Sequence, residues 1–301
     1  MSTRGWILFA VMAVLWGIPY LFIKEAFDTF TPFAVVAGRT LGGALLLLPF
    51  AIRAKALRPA LRHWPWVLAF GAIEMAGPFL LLGHAEQTLP SGLTGLLVAT
   101  VPLVAAIIAV TRGDRGVLKP LRLLGLLIGF GGVAVVVGGH GFEAGPGAFL
   151  AIAEVLLVAV LYAIAPFIVA TKLGGVPALG SITIALTAVG LFYLPFALLV
   201  PGEPPTVRSG LSLIALAVLC TALAFIVFFS LIDEVGPARA PLFTYVNPVV
   251  AIALGTVILG EELSVGLLVG FPLVILGCWF AATGGHLRNP RQLDGIAPPA
   301  M

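Results

Sequence analysis

Four ionisable side chains lie within, or near the end of, long apolar stretches of the sequence. Arg39, Glu74 and Glu154 fall inside such stretches, and His84 lies near the end of one. A charged side chain at the centre of a membrane costs about 2.5–3.5 kcal/mol on insertion scales, so such residues usually face a protein interior or a water-filled path. They are candidates to bind a charged solute, to carry a proton or to hold helices together.

Glu74 is the deepest of the four. At 1.5 Å per residue it lies about 14 Å from the start of its apolar run, near the middle of a membrane. Pro78 follows four residues later and cannot donate a backbone hydrogen bond to the Glu74 carbonyl. A carboxylate beside a free carbonyl suits an ammonium group or a proton, which favours a substrate or coupling-ion site. The alternative is a protonated glutamate that is hydrogen-bonded between helices.

Arg39 and Glu154 enter the membrane from the same face, at depths of about 9 and 12 Å by the same helical rise. We therefore predict that they form a pair, which is either a gate or a structural clasp. His84 could titrate near physiological pH, or it could be an ordinary histidine at the membrane interface.

Aromatic residues and prolines coincide in two of the apolar runs. Trp16, Pro19 and Tyr20 lie in the middle of the first run, and Tyr162 and Pro166 are their near counterparts in the sixth. Interrupted helices at corresponding places in two halves indicate a binding site, and aromatic walls suit an apolar or aromatic side chain. Packing between helices or contact with lipid is the alternative.

The fourth and ninth runs are rich in small residues, prolines and polar side chains. In the ninth run, Thr244, Tyr245 and Asn247 could hydrogen-bond a solute. Small residues let helices approach closely and proline allows them to bend. We predict that these two runs form the moving walls of a cavity.

The composition indicates that lipid surrounds most of the chain. Of 301 residues, 60% are hydrophobic and 10% are charged, whereas soluble domains carry about 25% charged residues. About 20 apolar residues cross a bilayer as a helix. Ten runs approach or exceed that length, and we number them as predicted spans 1 to 10: 6–23, 33–52, 65–84, 91–110, 121–138, 146–169, 178–200, 210–232, 239–259 and 264–283.

Basic residues in the loops predict the orientation of the chain. If the N-terminus is cytoplasmic, thirteen Lys and Arg residues lie in cytoplasmic segments and only Lys24 and Arg208 lie outside. Cytoplasmic loops of membrane proteins are enriched in Lys and Arg. The sequence therefore predicts an inner-membrane protein with ten spans and both termini in the cytoplasm. Residues 288–301 are predicted to form a disordered tail.

The two halves of the chain resemble each other. Residues 91–107 match 237–253 at an offset of 146, which places Pro102 on Pro248. Each half has five spans. Because five is an odd number, the second half starts on the opposite side of the membrane and is inverted relative to the first, an arrangement typical of secondary transporters. We predict one unit over residues 1–140 and an inverted unit over 141–287.

Several motifs resemble EamA-like domains of the drug/metabolite transporter superfamily. These are WG at 16–17, Arg39, PSGLTGLLVATVP at 90–102, and YVNPVVA at 245–251 followed by GEEL at 260–263. The resemblance implies a ten-span metabolite exporter, and it is greatest to the branch that exports aromatic amino acids. The second half departs from the pattern at Ala185, which stands where Arg39 would repeat.

We therefore expect a secondary exporter of small metabolites, most of all amino acids, that works by alternating access with spans 1–4 rocking against spans 6–9. The alternatives are an exporter of drugs or other metabolites with the same fold, a channel or a membrane enzyme. The sequence holds no HExxH, G-x-S-x-G or Walker A motif, so we expect no enzymatic activity, metal or cofactor. Its partners would be amino acids and lipid, not nucleic acid. Gly125-xxx-Gly129 and Gly266-xxx-Gly270 indicate helix packing within a monomer or in a weak homodimer.

Overall fold

The chain folds as a bundle of helices. The computed structural model describes residues 2–111, 113, 118–138, 146–200, 202–236 and 240–283, and these ranges contain no β-strand. The α-helices are α1 (Thr3–Leu15), α2 (Pro19–Ala26), α3 (Pro32–Arg53), α4 (Leu57–Leu61), α5 (Trp64–Gly71), α6 (Gly77–Ala85), α7 (Ser91–Val98), α8 (Val101–Thr111), α9 (Pro120–Gly138), α10 (Pro146–Lys172), α11 (Ala178–Leu199), α12 (Val207–Ala217), α13 (Ala224–Val235), α14 (Asn247–Leu259) and α15 (Val265–Thr283). Two π-helical turns, Ala72–Ala76 and Val218–Leu223, and a 3₁₀-helix, Ala240–Tyr245, interrupt them.

Several helices, some taken together with the helix that follows, form segments long and apolar enough to cross a membrane. The described residues contain 8 such candidate spans, together with two shorter apolar helices at Phe243–Leu259 and Val265–Ala281. They lie where the sequence predicts spans 1 to 10. Large apolar side chains such as Leu45, Leu127 and Leu198 are 71–74% exposed, which suits a surface in lipid. The predicted tail at 288–301 lies outside the described residues.

Local signals fix several helix ends. The Thr31 hydroxyl accepts a hydrogen bond from the amide of Ala34 at the start of α3, and Thr206 and Ser209 form a capping box at the start of α12. Such caps satisfy amide groups that have no partner within the helix. Gly260 ends α14 in the left-handed region, at φ 67°, a conformation that costs glycine little.

Glycines let α9 and α15 pack closely along their length. A Cβ added at Gly277 would lie 2.3 Å from the Cα of Gly129, and one added at Gly125 would lie 2.4 Å from the amide of Ala281. These glycines therefore serve a helix contact within the chain, which was one of the two alternatives that the sequence left open.

Polar contacts define two opposite faces of the bundle. At the N-terminal face, where α1 begins, Ser2 donates a hydrogen bond to Glu234 at the end of α13. At the other face, which we call the sealed face, residues from distant parts of the chain meet. They are Lys24, Leu89, Ser91 and Glu261 in one group, and Glu25, Arg208 and Ser212 in a second.

The hydrophobic cores form between the two halves of the sequence rather than within each half. One core joins α3 to α11, and a second joins α6, α7 and α10 to α15. A third core joins α1 to α13. The predicted motion of spans 1–4 against spans 6–9 requires each group to pack as a unit, and this packing contradicts it. Helices from the two halves of the sequence interlock, so a rigid body in this packing combines helices from both halves.

Candidate functional site

A cavity of about 400 Å³ lies inside the bundle, where several helices are interrupted. Seven of the eleven predicted site residues line it: Trp16, Tyr20, Arg39, Glu74, Tyr162, Thr244 and Asn247. The sequence analysis did not single out Met75, Phe79, Cys220 and Phe225, which also line the cavity. Clefts of this size between helices are typical of sites for small molecules.

Span 1 is broken at Trp16–Ile18, and the break forms one wall of the cavity. Pro19 begins α2, where its missing N–H costs no hydrogen bond. At Gly17 an added Cβ would lie 2.5 Å from the Cβ of Val250, so only glycine permits this approach to α14. The Asn247 amide, in the orientation that satisfies its neighbours, donates to the carbonyls of Ala13 and Phe243, both at 3.1 Å. The Asn247 side chain thus stabilises the broken ends.

Glu74 lies in the π-helical turn that precedes Pro78. A proline cannot donate to the carbonyl four residues earlier, and π turns are one way in which a helix accommodates such a disruption. Within the described part of the chain, the Glu74 carboxylate makes no hydrogen bond and no ion pair. Its side chain lines the cavity, so it is available to a solute. Tyr193 donates from its hydroxyl to the carbonyl of Ala76 in the same turn, at 3.2 Å.

The second π-helical turn, at Val218–Leu223, begins 146 residues after the first. This offset is the one that the sequence repeat predicts. Cys220 occupies the place equivalent to Glu74, and it also lines the cavity. The two turns therefore share a backbone conformation, but one carries a glutamate and the other a cysteine.

Arg39 is buried, with 7% of its surface exposed. Its Nε donates to the hydroxyl of Thr221 at 3.1 Å, and its guanidinium carbon lies 3.9 Å from the ring centre of Phe79. A guanidinium has five N–H donors, and the described residues accept a hydrogen bond only from Nε. The remaining donors of this cavity-lining side chain are suited to an anionic group of a solute.

Aromatic rings form the apolar wall of the cavity. The Trp16 ring packs against Phe225, Phe228 and Phe243, with centroids 5.1–5.8 Å apart. Phe225 and Trp16 line the cavity directly. These contacts lie within the range of favourable aromatic pairs, so the rings stabilise one another in this wall.

The predicted pairing of Arg39 with Glu154 is wrong. Glu154 lies 2.8 Å from Nδ1 of His84 instead, and neither of these two residues lines the cavity. The reason is the direction in which each helix turns its side chains. Arg39 faces Thr221 of the π turn after α12, whereas Glu154 on α10 faces the end of α6.

Two further predictions are wrong in detail. Span 6 is a continuous helix, α10, that runs through both Tyr162 and Pro166. Interruptions occur at corresponding places in spans 4 and 9 instead, at Ala99–Thr100 and Val246. Tyr245 and Pro78 do not line the cavity, and the Tyr245 hydroxyl donates to the carbonyl of Cys278 at 3.4 Å.

The sealed face lies at the end of α2 and the start of α7, two helices that contribute residues to the cavity wall. Oε1 of Glu261 accepts hydrogen bonds from Lys24 Nζ at 2.6 Å, from the Ser91 amide at 2.9 Å and from the Ser91 hydroxyl at 3.0 Å. An added Cβ at Gly255 would lie 2.4 Å from Oε2, so that glycine makes room for the carboxylate. Burial raises the pKa of Glu261, but the bonds from Lys24 and Ser91 outweigh it and the pKa falls below its usual value. The carboxylate is therefore ionised at neutral pH.

Comparison with known proteins decides the family. The EamA-like transporter family matches the chain over residues 3–138 and again over 147–283. The chain belongs to this family. Its length and apolar helices suit a multi-pass protein, and relatives named as inner-membrane transporters place the EamA-like transporter in the inner membrane.

Individual relatives of this EamA-like transporter are distant but match over most of its length. YedA of Escherichia coli, named an uncharacterized inner membrane transporter, is 28% identical over 85% of this chain and 83% of its own. YvbV of Bacillus subtilis, named an uncharacterized transporter, is 26% identical over 91% of this chain and 90% of its own. A solved crystal structure superimposes with a TM-score of 0.66 over 94% of this chain and 97% of the other, at 20% identity. That likeness shows the fold.

Proposed function

We propose that this EamA-like transporter exports neutral amino acids, aromatic ones included, by alternating access. The observation that carries the proposal is that a basic and an acidic side chain line the same cavity. Arg39 offers unused donors, and Glu74 offers a carboxylate with no partner in the described part of the chain. An amino acid carries one carboxylate and one ammonium group, which these two side chains complement.

The walls of the cavity suit the side chain of such a substrate. Trp16, Phe79 and Phe225 contribute apolar surface, and Thr244 and Asn247 contribute polar groups at the break in span 9. A cavity with an apolar wall and a few polar groups binds small amphiphiles of varied shape. Broad specificity for neutral amino acids follows from this arrangement.

The proposed topology is ten crossings with both termini in the cytoplasm, as two inverted units over residues 1–140 and 141–287. The N-terminal face would then be cytoplasmic and the sealed face periplasmic. At the sealed face, Lys24 and Glu261 are in contact. At the N-terminal face, α1 and α8 pack on different neighbouring helices. Both observations support an inward-facing state. The alternating states would exchange these contacts, with helices from both repeats moving together. Export, a monomer or weak homodimer, and lipid as the surrounding partner belong to the same proposal.

Reconstituted protein tests the substrate. Liposomes loaded with unlabelled amino acids should exchange labelled phenylalanine, methionine and threonine. Glu74→Gln should weaken the apparent affinity about 10- to 100-fold, because one hydrogen bond to a charged group contributes about 1.5–3 kcal/mol. The matched control is Glu154→Gln, which removes a carboxylate outside the cavity and should leave exchange unchanged.

Either of two results would refute the substrate. The first is a monodisperse protein that exchanges no amino acid at all. The second is an equal effect of Glu74→Gln and Glu154→Gln, because the cavity carboxylate would then have no special part in binding.

A further inference from the structure

Glu86 is a buried acid that the proposed binding site does not include. It directly follows α6, and its surface is 0% exposed. Neither carboxyl oxygen has a hydrogen-bond partner in the part of the chain that the structure describes. An ionised carboxylate in such a place is strongly disfavoured, so the group requires an explanation.

The charged and titratable groups around Glu86 come from three directions. Lys24 and Tyr20 belong to α2, Arg39 belongs to α3, and Glu261 lies just after α14. Lys24 is the natural partner for a carboxylate here, but its ammonium group is already bound to Glu261 at 2.6 Å. Glu86 therefore lies beside a closed ion pair and forms no ion pair of its own among the described residues.

His84, in the last turn of α6 just before Glu86, is exposed and paired with Glu154 of α10. It does not shield Glu86. Burial raises the pKa of Glu86 well above its usual range, and Lys24 offsets only part of that effect, while the charge of Glu261 adds to it. The closed arrangement thus holds Glu86 in its neutral form at neutral pH.

We propose that Glu86 is a proton-binding site whose occupancy is linked to the sealed face. The carboxyl group keeps its proton while Lys24 is bound to Glu261. It releases that proton when the seal opens, because water and Lys24 then stabilise the carboxylate. This inference rests on the proposed alternating access in one respect: it assumes that the contacts of the sealed face open.

The proposal fixes the sign and the steepness of the pH dependence. Opening releases one proton, so a rise in pH favours the open state. Between the ordinary pKa of a carboxyl group and the raised pKa of the closed state, the ratio of open to closed molecules should rise up to tenfold per pH unit. Above the raised pKa the ratio should become constant.

A spectroscopic distance tests the linkage without any substrate. Spin labels are attached at Asp28 and Glu262, two exposed positions near the ends of α2 and α14, in a protein whose Cys220 and Cys278 are replaced by alanine. The distance distribution is recorded in lipid nanodiscs from pH 5.5 to 8.5. The long-distance fraction should increase with pH in this parent, and Glu86→Gln should abolish the increase and keep the low-pH distribution throughout.

Three further variants make the test specific. Glu203→Gln removes an exposed carboxylate from a neighbouring segment and should behave like the parent. His84→Gln changes the exposed residue that pairs with Glu154 and should also follow the parent. Glu86→Met provides a second neutral side chain of similar size, so the test remains possible if Glu86→Gln does not fold.

Two outcomes would overturn the proton site: a parent whose distances do not change with pH, or a folded Glu86 variant that changes as the parent does. Failure of the proposed substrate gives a different pattern. In that case the pH response of the distances persists while no amino acid is exchanged. Normal amino-acid exchange without the pH response removes the proton site alone.

Discussion

Replacing Glu261 by glutamine should open the sealed face. The substitution keeps the size of the side chain but removes the charge that holds Lys24 at 2.6 Å and accepts from both the amide and the hydroxyl of Ser91. Glutamine can accept some of these bonds, but only as a neutral group. The closed state therefore loses the charge-assisted part of the interaction while the fold of each helix stays intact.

The size of the effect follows from the exposure of the two partners. Hydrogen bonds to charged groups contribute about 1.5–3 kcal/mol when they are buried, and fully exposed ion pairs contribute about 0–1 kcal/mol. The Glu261 side chain is 14% exposed and that of Lys24 is 33% exposed, so we expect about 1.5–2 kcal/mol. This shifts the ratio of open to closed molecules by about 10- to 30-fold.

A double-mutant cycle measures this interaction. The ratio of open to closed molecules is obtained from the Asp28–Glu262 spin-label distance in the parent, in Lys24→Met, in Glu261→Gln and in the double variant. The coupling energy of the pair should exceed about 1 kcal/mol. Glu234→Gln is the control, because its ion pair with Arg4 spans 3.6 Å, lies at the opposite face and includes an arginine that is 73% exposed.

Strictly additive effects in this cycle would refute the reasoning. The two side chains would then act independently, and their contact in the closed state would contribute nothing to closure. An unchanged distance distribution in Glu261→Gln would have the same meaning, since the seal would be held by other contacts. The same distributions in Glu234→Gln and the parent are required for either conclusion.

Two further predictions concern packing and acid. Gly277→Ala should lower the stability in a thermal-unfolding assay by about 1–3 kcal/mol, because its Cβ would lie 2.3 Å from Gly129; Gly131→Ala, with nothing within 4 Å, should have no such effect, and equal losses would contradict the packing argument. The pKa of Glu261 is lowered from 4.5. The contribution of its carboxylate to the stability of the closed state should therefore be constant above about pH 5 and lost as the pH falls below 4.5. Spin-label distances between pH 3 and 5 would check this, and a distribution that stays closed throughout would contradict it.

The sequence predicts the helices well because their determinants are local. Apolar runs of membrane length place the candidate spans, and the glycines of spans 5 and 10 mark a close helix contact. Pro102 and Pro248 mark the bends in spans 4 and 9, since a proline removes one backbone donor wherever it stands. Pro166 shows the limit of this rule, because α10 continues through it. The loss of one hydrogen bond is tolerated when neighbouring helices hold the segment in place.

The direction of each side chain around its helix is harder to predict. A span that is apolar on all sides has no amphipathic pattern that would orient it. The depths of Arg39 and Glu154 agreed, yet their helices turn the two side chains toward different neighbours. The bond between Lys24 and Glu261 joins residues 237 positions apart, and no local pattern connects them.

The candidate residues differ in whether their polar groups already have hydrogen-bond partners within the protein. Glu154, His84 and Tyr245 hydrogen-bond to protein groups outside the cavity, which favours a structural part for each. Glu74 lines the cavity and has no partner among the described residues, and Glu86 is buried with none. A buried polar group without a partner lowers stability, so a fold that keeps two such acids in different surroundings has reason to use them differently. Access to the cavity suits Glu74 to a solute, whereas enclosure behind the seal suits Glu86 to a proton.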